Sequence, residues 1–371
     1  MSNIDRIAIV GAGVAGMALA ILSAKQGYQV SLYERDSQVS SMGAGVTLWA
    51  NAVYIMQQMG LEKELMHLGG NPRFMRQFNQ QGVLLGELDI ETMNSLSGFT
   101  SVTILRRDLM NILDSALDGL GVERQFNCTI TPEAIAGLKQ DFDLVVGADG
   151  RMHSVVRQVL YQGKITPRYQ GFVNIIGISQ MDEASDNAIH DYRGLGERFG
   201  IVPVAPDVCY WAAAWSTSMD KDRPLSGWYE EMHRRFLGWP EALQCVLSSY
   251  DKASLRAIFV HDLDPLPYWH EDNLLMIGDA AHAPLPTSGQ GACQALEDAW
   301  HLVRILAEED ELDSALTAFY QRRIEKASAT QAAGRALAQG IFAAHSEPPA
   351  SVSDISLEQL TQFWMQGLAV E

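Results

Sequence analysis

Positive charge is scarce in this sequence: 27 lysines and arginines stand against 45 aspartates and glutamates, a formal net charge of −18 at pH 7. Long-range attraction to a polyanion is opposed, and nucleic acid is not an expected partner. Cysteine is scarce too. The four, Cys128, Cys209, Cys245 and Cys293, show neither C-x-x-C nor metal-ligand spacing. A chain of this length has core enough without disulfide staples, so reduced thiols in a cytoplasm are expected. No uninterrupted apolar run reaches the ~20 residues of a membrane helix, and no N-terminal segment joins a basic flank to an apolar stretch as a signal peptide does. A membrane anchor is not expected. Internal repeats, low-complexity tracts and metal-binding residue sets are also missing.

What is present, 47% hydrophobic and 19% charged residues over 371 positions, describes a well-buried protein of about two domains. The chain is organised around Ile7–Asp36, which reads as an apolar strand, a glycine turn, an apolar helix and a second strand ending in Glu34. Gly11 permits the tight turn, Gly13 lets backbone approach a pyrophosphate, and Gly16 lets the helix press on the strand. The helix start, with Ala15 beside it, offers free N–H groups and the positive end of a dipole to phosphates. Glu34 closes the second strand about 20 residues beyond the glycines, where a carboxylate accepts ribose hydroxyls and repels a 2′-phosphate. FAD or NAD is therefore favoured over NADP here, with Arg35 counted in the same nucleotide-binding set.

Further along, glycine-rich Met42–Leu48 precedes a helical pattern that stops at Gly60, and Phe74 to Leu88 alternate around Gln80–Gly82 as a hairpin. Thr100–Leu105 reads as a strand, Arg106–Leu117 as a helix, and Val122–Cys128 and Phe142–Gly147 as strands, the last an apolar run of the kind buried in a parallel sheet. From Gly171 to Val260 the pattern changes to β-rich segments at 172–179, 198–204, 208–215 and 255–260, with helices near Trp228–Leu237 and Pro240–Leu247. This is expected to be a mixed sheet forming the substrate domain. A buried strand returns at Leu274–Gly278, followed by helices at Gly291–Ala307, from about Ser314 to Ile324, and at Leu357–Met365.

Three glycine–acid sites thus stand at the carboxyl ends of apolar strands: Gly11–Gly16 with Glu34, Asp149-Gly150, and Gly278-Asp279. In an open α/β sheet that edge binds ligands. The N-terminal fingerprint, GADG at Gly147–Gly150 and GDAAHAPLPTSGQGACQALEDAW at Gly278–Trp300 together resemble, over nearly the whole chain, the single-component (group A) FAD-dependent aromatic monooxygenases of the p-hydroxybenzoate hydroxylase type. The resemblance implies an α/β fold in which a Rossmann-like FAD-binding domain of that type (1–70, 100–165 and 270–335) carries an inserted mixed β-sheet substrate domain (71–99 and 166–269). A C-terminal segment with helices (336–371) follows. It also implies that Asp279 holds the ribityl hydroxyls of FAD and that Pro286, the one residue assigned to catalysis, borders the oxygen-reactive carbon of the flavin. By the same resemblance Gly289, Gln290 and Gly291 offer backbone N–H groups to the pyrimidine edge, and Gly45, Arg106 and Asp149 contact FAD. Family members usually read D-G-x-x-S-x-x-R; here Asp149-Gly150 is followed by one extra residue before Ser154 and Arg157. Arg157 is left open between a cofactor contact and a surface arginine.

The implied activity is hydroxylation of an aromatic small molecule: NADH or NADPH reduces bound FAD, O₂ adds to give a flavin C4a-hydroperoxide, and one oxygen passes to the substrate. No second glycine fingerprint chooses between the two donors. One alternative is a maturation factor that oxidises a side chain, such as tryptophan, of a partner protein to build a quinone cofactor; another is a flavin reductase or oxidase without oxygen insertion. A flavin halogenase is disfavoured, because its W-x-W-x-I-P stretch is missing and Trp211 and Trp215 have the wrong spacing. His282 is expected to position the cofactor site rather than act as a base. His153 and His190 read as ordinary polar residues, and Trp49, Tyr192, Trp211 and Trp215 as core with an aromatic pocket as the alternative. Asp182, Glu183 and Asp186 read as a solvated loop. Oligomeric state is not set by the sequence.

Overall fold

The first strand, β1 (Arg6–Val10), is buried from Ile7 to Val10 because neighbours cover both faces, which is why it reads as an unbroken apolar run. The computed structural model describes residues 4–39, 43–181, 187–342 and 356–368. Met42 and the acidic cluster Asp182, Glu183 and Asp186 lie outside these described residues.

After β1 come α1 (Val14–Lys25) and β2 (Gln29–Tyr33), then β3 (Gly45–Leu48), α2 (Ala50–Gln58) and α3 (Glu62–Leu68). The hairpin β4 (Phe74–Asn79) and β5 (Leu84–Asp89) leads to α4 (Ile90–Ser97), β6 (Val102–Leu105) and α5 (Arg106–Ala116). Then follow β7 (Glu123–Gln125), α6 (Pro132–Asp141), β8 (Leu144–Gly147) and α7 (Val155–Leu160). The middle of the chain runs through β9 (Arg168–Gln180), β10 (Ala188–Gly194), β11 (Glu197–Ala205), β12 (Val208–Ser216), α8 (Leu225–Arg235), α9 (Glu241–Ser248) and β13 (Arg256–Asp262). Last come β14 (His270–Glu271), β15 (Leu274–Met276), α10 (Asp279–His282), α11 (Gly291–Glu308), α12 (Leu312–Phe342) and α13 (Leu357–Met365).

Two large sheets organise these elements. The first has strand order β14-β15-β8-β1-β2-β7, parallel except for the β14 edge. From β1 the chain moves to β2 on one side and later to β8 on the other, so a crevice opens where the strand order reverses. The second sheet has order β13-β9-β12-β11-β10-β4-β5, antiparallel except where β10 meets β4. Alternation along its strands separates two faces. Cys209, Trp211, Ala213 and Trp215 of β12 point into a core closed by Trp228, Met232 and Phe236 of α8 and its flank and by Leu243 and Leu247 of α9. Tyr210 and Ala212 point the other way. A short pair, β3 with β6, lies between the two sheets.

The α/β class and the mixed second sheet are as expected, but several elements differ from the sequence reading. The strand expected over Val122–Cys128 is only three residues long. Helices α3, α4 and α6 and strands β3, β10 and β14 were not expected. Strand β10 breaks the apolar rule on the face it shares with Tyr210, where Asp191 is buried, because that carboxylate is paired rather than replaced by a hydrocarbon. Helix α12 is 31 residues long and runs well past Ile324. Its second half is rich in alanine, the best helix former, and buries small or polar residues such as Thr330, Gln331 and Gly334, so no apolar stripe announces it. Among the described residues no helix is long and apolar enough to cross a membrane.

Candidate active site

The three glycines of the first turn do different work. Gly11 has φ +105°, and a Cβ there would lie 2.6 Å from the Ala148 carbonyl oxygen; at Gly16 it would lie 1.9 Å from the Gly11 oxygen. These two glycines let β1, α1 and the β8 turn close on one another. Gly13 is different: the nearest atom to its Cβ position is the Ala148 oxygen, 3.9 Å away. Its freedom serves nothing in the protein and leaves a cradle open at the start of α1. Ala15 is buried in the first turn of that helix. Glu34 reaches back over the cradle, where its Oε2 accepts the Ala12 N–H at 2.8 Å and its Oε1 the Asp36 N–H at 3.0 Å. Arg35 is exposed and lies 3.9 Å from Asp36.

Across the crevice, Asp149 Oδ2 accepts the Val155 N–H at 2.6 Å and so holds the start of α7, while its buried Oδ1 has no partner. Burial pushes this carboxyl above its ordinary pKa. Ser154 caps α7 by accepting the Arg157 N–H. Arg157 is not the surface arginine that one reading of the sequence allowed. It is 2% exposed and donates to the Ala280 carbonyl at 2.9 Å and the Arg151 carbonyl at 2.5 Å, tying the Asp149 turn to α10. Arg151 in turn lies 3.2 Å from Asp279 and donates to the His261 carbonyl of β13 at 3.0 Å. Arg106, at the start of α5, has its pKa lowered by burial and raised by Asp279, and its Cδ would lie 2.7 Å from a Cβ on Gly43. Asp279, Arg106 and Arg151 therefore form one charged cluster at the carboxyl edge of the parallel sheet, and Arg157 links it to Asp149.

The turn after α10 closes the site. Pro286 and Gly289 are exposed, and Gly289 takes φ +63° to lead into α11. Of the three N–H groups expected to face a cofactor, that of Gly289 donates to the Pro286 carbonyl at 3.0 Å and that of Gln290 to Ser288 Oγ at 3.2 Å. Gly291, first in α11, keeps the N–H that a helix start leaves unpaired. The Gln290 side chain is buried, and its Nε2 donor has no partner. Beneath this turn lies an ion network that sequence reasoning missed. Arg323 of α12 meets Glu297 Oε2 at 2.5 Å and Asp298 Oδ1 at 2.8 Å, and Lys326 meets Glu297 Oε1 at 2.9 Å. Asp298 Oδ2 accepts the Gly278 N–H at 2.7 Å and faces His282 Nε2 at 2.5 Å. Burial opposes the Asp298 charge, but His282 and Arg323 outweigh it and hold the carboxyl far below its ordinary range. His282 is thus buried and fixed against Asp298, beneath the loop that carries Asp279. The signal available in the sequence was Glu297-Asp298, two adjacent acids inside an otherwise apolar helix.

The second sheet faces this edge through β3. A Cβ on Gly45 would lie 2.1 Å from the Tyr210 ring, and Tyr210 Oη is 3.1 Å from Thr47 Oγ1. Burial pushes the Tyr210 phenol up to about 12, so it stays neutral and able to donate. On the same face Asp191 is held by Arg198 at 2.5 Å and Arg193 at 2.8 Å. Burial works against the Asp191 charge, and the two arginines outweigh it and lower its pKa. Trp211 and Trp215 lie in the opposite core at 0% exposure with Tyr192 beside them, and Trp49 is buried under Gly289, donating to its carbonyl at 3.0 Å.

An open glycine cradle, an orphaned Asp149 oxygen and an orphaned Gln290 amide on one crevice edge fit a long ligand with a phosphate at one end and a polar ring at the other. The comparisons agree. The family described as FAD binding domain matches residues 5–332. The FAD-dependent urate hydroxylase of Mycolicibacterium vanbaalenii is 29% identical over 343 residues, covering 87% of this chain and 85% of the relative. The 6-hydroxynicotinate 3-monooxygenase of Bordetella bronchiseptica is 29% identical over 363 residues, covering 89% and 91%. In fold, the crystal structure of Klebsiella pneumoniae HpxO with FAD and uric acid matches at a TM-score of 0.82 with 21% identity over 98% of this chain and 93% of that one. The chain belongs to the FAD binding domain family and is an FAD-dependent monooxygenase of the p-hydroxybenzoate hydroxylase-like kind.

Proposed function

We propose that this monooxygenase hydroxylates a planar heteroaromatic anion held between the carboxyl edge of the parallel sheet and the Tyr210 face of the second sheet. In this reading 1–70, 100–165 and 270–335 form the FAD-binding part and 71–99 and 166–269 the substrate part, joined where β3 meets Tyr210. Bound FAD supplies the redox chemistry, taking reducing equivalents from NADH or NADPH and activating O₂ for transfer of one oxygen atom.

The chain's own residues bind, orient and exclude water. Gly13 and the start of α1 receive the pyrophosphate, and Glu34 takes the adenosine ribose once its link to Ala12 yields. Asp279, steadied by Arg151, takes the ribityl chain. Gln290 Nε2 and the Gly291 N–H serve the pyrimidine edge, while exposed Pro286 borders the reacting face. The positive end of α11 favours negative charge on the ring.

The observation that carries the substrate class is the Asp191 cluster. Two arginines share one carboxylate, so this cluster on the Tyr210 face carries one positive charge in excess. That charge suits an anion, and neutral Tyr210 suits a ring oxygen or nitrogen. The substrates of the relatives, urate and 6-hydroxynicotinate, support a small molecule over a protein partner. The test is NADH and NADPH oxidation under air with a panel of purines, hydroxypyridine acids, phenols and neutral quinolones, with peroxide quantified. Stimulation by the anions, little peroxide and a product heavier by one oxygen are expected. Stimulation by neutral rings alone contradicts the assigned class, and no stimulation by any compound contradicts a small-molecule substrate.

A further inference from the structure

Helix α13 is joined to the turn at Gly289–Gln290 by two separate routes. In the first, the Trp364 ring lies on Trp49 with centroids 4.6 Å apart, and Trp49 Nε1 donates to the Gly289 carbonyl at 3.0 Å. In the second, Lys326 Nζ donates to the Trp364 carbonyl at 2.5 Å and lies 3.3 Å from that of Gln366, while pairing with Glu297 Oε1 at 2.9 Å. The same Glu297 oxygen accepts from Asn51 Nδ2 at 2.6 Å, and that nitrogen is 3.0 Å from Gln290 Oε1. Both routes begin at Trp364 and end on two consecutive residues.

Lys326 makes the second route sensitive to α13. An ammonium has three donors, and here two go to carbonyls at the end of α13 and one to Glu297. A cation there also meets the negative end of the helix dipole. Lys326 is 4% exposed, so withdrawal of α13 strands a buried charge with one acceptor. Lys326 is then no longer fixed in place against Glu297 Oε1, the oxygen that Asn51 Nδ2 also uses, and the Asn51 contact that aims the Gln290 amide loosens with it.

We propose that α13 is a brace for the cofactor-side turn, with Trp364 and Lys326 as positioning residues that act on Gly289 and Gln290 through Trp49 and through Glu297 and Asn51. The inference rests on the placement of FAD against that turn. Its test compares Trp364→Ala, Trp364→Phe, Lys326→Met and, as a control, Phe363→Ala, which removes an aromatic from the same helix without touching Trp49. FAD affinity by fluorescence titration, the visible spectrum of bound flavin, and amide exchange at Gly289–Gly291 in the apoprotein are measured. Trp364→Ala and Lys326→Met are expected to weaken FAD about 10-fold or more, shift the flavin bands and speed exchange in the turn. Trp364→Phe restores all three, and Phe363→Ala changes none. Wild-type values in Trp364→Ala and Lys326→Met overturn the brace. Equal damage from Phe363→Ala also overturns it, since α13 then contributes only general stability. Failure of the wild-type protein to bind FAD overturns instead the cofactor placement beneath it.

Discussion

The parallel sheet and the seven-stranded sheet solve opposite problems. At the carboxyl edge of the first, backbone must come within contact distance of backbone and of a ligand, so single atoms matter: Gly16 leaves no room for a methyl group, whereas Gly13 leaves room that the protein itself does not use. The second sheet has one face filled by Trp211, Trp215 and Phe199 against α8 and α9, and its other face carries Tyr210, Arg198 and Asp191. Its fold depends on the hidden face, which leaves the visible one free to vary in chemistry. A cofactor shared by many enzymes fixes residues at one edge, and a substrate particular to one enzyme is met by side chains on a surface that the fold does not constrain.

The sharpest break of this contrast is Gly16→Val, whose Cβ would collide with backbone. It is expected to lose on the order of 5 kcal/mol or to fail to fold, read as absence of a cooperative unfolding transition. Next is Arg323→Met, which removes the guanidinium that Glu297 and Asp298 share in the interior and leaves them Lys326 and His282 alone as side-chain ion partners; a loss of about 3–5 kcal/mol in denaturant unfolding is expected. Gly13→Val should do the reverse of Gly16→Val, weakening FAD roughly 100-fold, about 2.7 kcal/mol, while the apoprotein melts within about 2 °C of wild type.

A pH experiment probes the ion network from the side. His301 of α11 is buried, and burial first, then Arg323, Arg322 and Lys326, lower its pKa to about 3. The unfolded chain, with an ordinary histidine near pH 6.5, binds more protons than the folded one between these values, so stability rises with pH across this window. From pH 7 to pH 5 the His301 contribution falls by about 2 kcal/mol. His301→Gln should flatten that part of the stability profile. The smallest effect belongs to the second sheet: Tyr210→Phe loses the contact to Thr47 and is expected to raise KM for substrate severalfold, about 1 kcal/mol, with FAD affinity unchanged.

The same asymmetry governs how much was legible in the sequence. The glycine turns, Glu34, Asp149 and Asp279 stand at strand ends in spacings that steric and dipole arguments explain locally, and β1, α1, β8 and α11 follow from apolar runs. What stayed hidden depends on partners far away in sequence. Asp191 carries no signal of its own until Arg198 is placed beside it, and Arg323 and Lys326 carry none until α11 brings Glu297 and Asp298 against them. Helix α12 was cut short because its later contacts bury alanine, glycine and polar side chains that carry no hydrophobic period. Arg157 shows the same effect in one residue, a basic side chain in a loop motif that the fold turns into an interior strut.

The measurement that tests the division between the two sheets most directly is one FAD titration series on apoprotein of wild type, Gly13→Val and Tyr210→Phe, followed by substrate titration of whichever forms load. Wild type is expected to bind one FAD, Gly13→Val to bind it roughly 100-fold more weakly with its fold intact, and Tyr210→Phe to load like wild type yet bind substrate less well. Gly13→Val that takes up FAD with wild-type affinity, or Tyr210→Phe that loses FAD as Gly13→Val should, contradicts that division.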